Sequence, residues 1–171
     1  MTDRRVRIPD LEEEKKSFSP LSRYVSNHSD GVWRRVGRTV RMLGKTKVGR
    51  GLLVLNGRMA GNFIVGTGLF NVKKSDNIHD ATSNWLKVLS AVGCEYEIGE
   101  VTDDFVEVRI LKCLAGLTTK NGRRVCQAGM EADRTVVRKL GGKLEIGETI
   151  ATGAPKCILR VVKKEASTPV R

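Results

Sequence analysis

The residues best suited to chemistry in this chain are four cysteines, Cys94, Cys113, Cys126 and Cys157. No pair stands in a C-x-x-C spacing, which sets aside a zinc ribbon or a thioredoxin-type redox site. Met1 to Lys16 is polar and mixed in charge, without the apolar core of a secretory signal, so a reducing cytoplasmic setting with thiols or metal ligands is expected rather than disulfides. Three of the cysteines fall at element ends: Cys113 closes a strand, Cys126 opens a helix, and Cys157 opens a strand after a tight turn. Such ends can converge in a small sheet. Three thiolates and a carboxylate from Glu131, Asp133, Glu145 or Glu148 would then make a tetrahedral zinc site. The plain alternative is cysteine as a small buried hydrophobe, which suits Cys94 best.

If a metal activates water there, its bound water would ionise near neutral pH. Glu131 or Asp133 would serve as base, and Arg124 or Arg134 would hold a substrate carboxylate through paired contacts. The start of a helix at Cys126 would favour thiolate and anion through the positive end of its dipole. The competing reading is a sensor or adaptor that binds a ligand or metal without turnover.

Other motifs carry less. Gly44-Lys45-Thr46 invites a phosphate-loop reading, but the motif needs glycine at position 39, which is Thr, and a strand leading in, where the pattern is helical. His28 and His79 lie in polar surroundings near helix starts and read as surface or capping residues. The balance of 31 Lys and Arg against 19 Asp and Glu, a formal +12, favours anionic partners. Nucleic acid is among them but not favoured, because the few aromatics do not interleave with the basic residues as base-stacking platforms would.

The elements that must position these groups follow from spacing. Residues 1–25 alternate charge, Ser and Pro without an apolar period and read as a flexible or loosely docked arm; 165–171 read as a tail. Between them, 26–164 is expected to form one α+β domain that binds a small molecule. Asp30 is a plausible cap for a basic helix whose Trp33, Val36, Val40 and Leu43 share one face. Leu52 to Phe70, interrupted by glycines, reads as helical. Asp80 can cap a third helix carrying Trp85, Val88, Leu89 and Val92. At Cys94 the period changes to two, and Cys94-Tyr96-Ile98 and Val106-Val108-Ile110 form a hairpin about Thr102-Asp103-Asp104. One helix carries Val125, Ala128, Ala132, Val136 and Leu140 up to Gly141-Gly142. Leu144 and Ile146, then Cys157, Leu159 and Val161, give two more strands. The fold class is therefore α+β: N-terminal helices followed by a ββαββ unit with an antiparallel sheet. The longest apolar passages are far short of the ~20 residues of a membrane span.

Three segments carry a family resemblance: Lys112-Cys113-Leu114-Ala115-Gly116, Val125-Cys126-Gln127-Ala128-Gly129-Met130-Glu131-Ala132-Asp133-Arg134, and Glu148 to Cys157. Together they resemble the L-2-amino-thiazoline-4-carboxylate hydrolase-like family, and are similar to 4-vinyl reductase-type ligand-binding domains. The likeness covers about residues 80–163. It implies an α+β domain, often dimeric, holding a small molecule between sheet and helices. In the hydrolase-like branch the implied activity opens a small anionic heterocycle with water. In the sensor-type branch, cysteines and a glutamate bind zinc beside an aromatic-ligand pocket. Cys126 and Cys157 match cysteine positions of that pattern. Thr149 stands where a further cysteine is expected, leaving Cys113 as its substitute.

Overall fold

The computed structural model describes residues 6–119 and 122–163. Seven α-helices and four strands occur among them in the order α1 (Leu11–Lys16), α2 (Pro20–Asn27), α3 (Ser29–Leu43), α4 (Lys47–Gly66), α5 (Ile78–Ala91), β1 (Tyr96–Val101), β2 (Phe105–Ile110), α6 (Gly122–Gly129), α7 (Glu131–Leu140), β3 (Gly142–Ile146) and β4 (Cys157–Lys163). The strands make one antiparallel sheet in the order β1-β2-β4-β3. This is the α+β architecture expected, with helices preceding the strands.

The period of two does what it predicts. Val106, Val108 and Ile110 of β2 and Leu159 and Val161 of β4 are buried on the sheet's inner face, with Val108 opposite Leu159 in register. Trp85 and Leu86 of α5 and Val137 and Leu140 of α7 are fully enclosed against that face. On the outer face Glu107 lies between Arg109 and Arg160, 2.9 and 3.1 Å away.

The long helix α4 packs against α7 because its glycines leave room. A Cβ on Gly61 would stand 2.7 Å from Cβ of Thr135, and one on Gly57 would stand 2.9 Å from the backbone nitrogen of Ala132. Such approaches are open only to a residue without a side chain. The glycine-interrupted segment is thus a helix built for close packing.

Of the two readings of the arm, flexible or docked, the described part, residues 6–25, takes the second and is seated on the domain. Asp10 caps α1, and Ser19 followed by Pro20 opens α2, a sequence signal of helix starts. Phe18 is buried edge-to-face against Phe70 at 5.6 Å, and Ser22 Oγ accepts the Phe70 N–H at 3.1 Å. Two apolar contacts separated by 52 positions have no local period, which is why the segment reads as polar. The tail 165–171 lies outside the described residues, as does position 164.

Asp30 and Asp80 do not cap their helices. Both stand in first turns, where a carboxylate favours the dipole. Asn77 takes the capping role at α5, accepting the His79 N–H at 2.9 Å. The helix expected over 125–140 is two helices, α6 and α7, which meet at Met130. Cys126 therefore sits in the second half of α6 rather than at a helix start, and the dipole argument for its ionisation is lost.

Candidate functional site: an apolar pocket edged with thiols

A cavity of about 200 Å³ lies between the sheet and helices α3, α5, α6 and α7. Its wall is hydrocarbon and indole for the most part: Trp33 and Val40 from α3, Trp85 and Val88 from α5, Val136 from α7, Leu159 from β4. All four cysteines reach it, each from a different place in the fold. Cys94 precedes β1, Cys113 lies in the loop after β2, Cys126 lies on α6, and Cys157 begins β4.

The loop bearing Cys113 is held down by α3. Arg41 donates to the carbonyl of Ala115 at 2.7 Å, and Gly37 lies directly under that same carbonyl, where any side chain would collide. Gly116 follows in the left-handed region at φ 59°, a turn that a Cβ disfavours. The Leu117 N–H then points back at Cys113 Sγ at 3.4 Å. Across the cavity the Ile150 N–H meets Cys157 Sγ at 3.4 Å. Thr149 lies beside both, hydrogen-bonded to Cys126.

Burial controls the ionisation of these groups. It pushes the Cys94 thiol up to about 12, helped by the neighbouring charges of Asp133, Cys157 and Cys113. Burial also raises Cys126, against an opposing hydrogen bond from Thr149, and Cys157, against the Ile150 N–H. The thiols lie close enough that charge on one disfavours charge on another. Burial thus disfavours the thiolate at Cys94, Cys126 and Cys157, because desolvation penalises the charged form.

Of the two carboxylates with proposed roles, only Asp133 faces the cavity. Burial raises its pKa, although it accepts a hydrogen bond from the Trp85 indole at 3.0 Å. Glu131 is turned away into an ion pair with Arg58 at 3.0 Å and a longer one with Arg134 at 3.7 Å. Arg134 also donates to the Gln127 carbonyl at 2.9 Å, so its guanidinium braces the α6–α7 junction. Arg124 is exposed on α6 and does not line the cavity. The cation that does is Lys112, exposed at the rim and without an ion pair among the described residues. It stands in sequence between Leu111 and Cys113-Leu114, and nothing in that local pattern distinguishes it from other basic residues. Trp85 was legible as core but not as a hydrogen-bond donor.

Zinc is the cofactor to test against this donor set. Among the described residues no group of three or more His, Cys, Asp or Glu side chains is placed to hold a metal ion. Thr149 presents a hydroxyl, not a thiol, to Cys126, and Asp133, the carboxyl that lines the cavity, is engaged by an indole. The residues present do not fit the group, and no chemical step is derived through it.

No protein-family model, no curated protein and no solved structure matches the chain. The likeness to the thiazoline hydrolase-like family rests on the cysteine-bearing segments alone. Among the described residues no helix is long and apolar enough to cross a membrane.

Proposed function

We propose that this chain is a small-molecule-binding domain that takes an apolar, flat ligand with a single anionic or polar end. One observation carries the reading: a cavity of about 200 Å³ is walled by both tryptophans, four cysteines and Met130, yet has a lysine at its rim. Ligand sites of this kind are largely apolar with a few polar groups that fix orientation. Indole faces and polarisable sulfur suit an aromatic ring. Lys112 would meet a carboxylate, and Asp133 in its protonated form would donate to a carbonyl or ring nitrogen.

Binding without turnover is favoured over hydrolysis. A general base must be ionised when it takes its proton, whereas burial holds Asp133 toward the acid form. Glu131, the other carboxyl considered for that role, is engaged by two arginines.

The two tryptophans make the test direct, since both line the cavity. Titration with cinnamate, indole-3-acetate and their uncharged amides should give a saturable change in tryptophan emission. Lys112→Met should weaken the carboxylates and leave the amides unchanged. Val88→Phe, which fills the cavity, should abolish both responses in a folded protein. An emission spectrum indifferent to every ligand of both series would overturn the reading.

A further inference from the structure

One face of α4 is not covered by any other element among the described residues. Val48, Leu52, Leu55, Met59 and Phe63 recur at intervals of four, three, four and four, which places them in one stripe along the helix. They are 77, 51, 56, 65 and 52% exposed. At 1.5 Å per residue the stripe runs about 22 Å. The opposite face of the same helix, with Gly57 and Gly61, is the one packed on α7. The apolar stripe is therefore surplus to the core.

The charge around it is one-sided. From Gly31 to Gly66, which takes in α4 and all of α3 after its first two residues, the sequence has eight Lys and Arg and no Asp or Glu; Asp30, in the first turn of α3, is the one acid of the two helices. Three of the eight are engaged within the chain: Arg41 with the Ala115 carbonyl, Arg50 with the Gly44 carbonyl and Arg58 with Glu131. The remaining five, Arg34, Arg35, Arg38, Lys45 and Lys47, are exposed and have no ion pair among the described residues. Lys45 and Lys47 immediately precede Val48, at the head of the stripe.

We infer that the α3–α4 hairpin is a docking surface for an anionic lipid bilayer, with the α4 stripe seated among the acyl-chain ends of the headgroups and the free cations on the lipid phosphates and carboxylates. An apolar helix face flanked by Lys and Arg is the composition of helices that lie in the membrane interface, and each basic residue near an anionic surface adds to the attraction. Charge complementarity decides the occupant. A second copy of the chain would set two predominantly cationic surfaces against each other, while an anionic bilayer neutralises them. The inference does not depend on the ligand-binding reading of the cavity.

The test is cosedimentation of the full chain with vesicles of equimolar phosphatidylcholine and phosphatidylserine, and with vesicles of phosphatidylcholine alone. The chain should pellet with the mixed vesicles and stay in solution with the neutral ones. Two changes on the exposed stripe, Leu55→Glu with Met59→Glu, should leave the fold intact by circular dichroism and abolish pelleting. Lys45→Gln with Lys47→Gln should weaken it roughly tenfold or more. Equal binding to neutral vesicles, or undiminished binding by the glutamate variant, would overturn the inference. So would a chain that ignores both vesicles and sediments as a dimer that the glutamate variant converts to monomer, which would assign the stripe to a second copy.

Discussion

The indole N–H of Trp85 donates to the Asp133 carboxyl across 3.0 Å, joining α5 to α7 over the mouth of an apolar cavity. Trp85 has no exposed surface. The contact fixes a polar group where desolvation would otherwise exclude it, and it gives the cavity its one carboxyl.

That carboxyl makes stability depend on pH in a definite direction. Asp133 holds its proton more tightly in the folded chain than in the unfolded one, because burial disfavours the anion. Its contribution is fully present below the ordinary aspartate range and is lost as pH rises through the folded-state value. Asp133→Asn should therefore remove a stability decline that sets in as pH rises above the ordinary aspartate range, measured by urea unfolding over a pH series. Trp85→Phe leaves the carboxyl without its donor and should cost about 1–3 kcal/mol in the same assay.

The thiols should react slowly. A group pushed up to about 12, as Cys94 is, has almost no thiolate at neutral pH. Alkylation by iodoacetamide, followed by peptide mass mapping, should label Cys94 far more slowly than a free cysteine peptide. Rates at Cys94, Cys126 and Cys157 should climb with pH and fall when the cavity is filled. Rapid neutral-pH labelling of Cys94 in the folded chain would refute the assigned environment.

The α4–α7 contact should be intolerant of a methyl group. Gly61→Ala drives a Cβ into Thr135 and the Ala132 carbonyl, and the helices must part to admit it. A loss of about 1–3 kcal/mol is expected from such overpacking. Gly51→Ala, on the same helix with open space around it, should be neutral or stabilising, since alanine is the better helix former. The pair of denaturation curves separates packing from helix propensity.

On the sheet's outer face the sign of the pH effect reverses. Hydrogen bonds from Arg109 and then Arg160 hold the Glu107 carboxyl below its ordinary range. Its contribution is present above the unfolded glutamate value and is lost as pH falls through the folded one. Glu107→Gln should flatten the acid limb of the stability profile, with little change in tryptophan emission because the residue lies on the face away from the cavity.

Much of the fold was legible. The hairpin of β1 and β2 and the strand at Cys157 came from alternation, α3 and α5 from apolar positions three and four apart, and α4 from an apolar run interrupted by glycines. The sequence left the N-terminal segment open between flexible and docked, because the contact that seats it, Phe18 on Phe70, lies beyond the reach of any local period. The division of α6 from α7 was missed because Val125 to Leu140 keeps helical spacing across the bend at Met130. For the site, the gathering of Cys113, Cys126 and Cys157 at one cavity was expected from their positions at element ends. The roles of Glu131 and Arg124 were not recoverable. Glu131 faces Arg58, which is 73 residues away in sequence, and Arg124 projects from the exposed side of α6.

By itself the sequence determined the helices after the N-terminal segment and the four strands in outline, which faces are apolar, and that the chain carries a large positive charge, because periodicity and composition are local properties. Only the tertiary structure decided that four thiols share one cavity, that Asp133 rather than Glu131 faces it, and that burial there disfavours the thiolates of Cys94, Cys126 and Cys157. Ionisation depends on which groups exclude water from one another, and that is settled by contacts between distant parts of the chain.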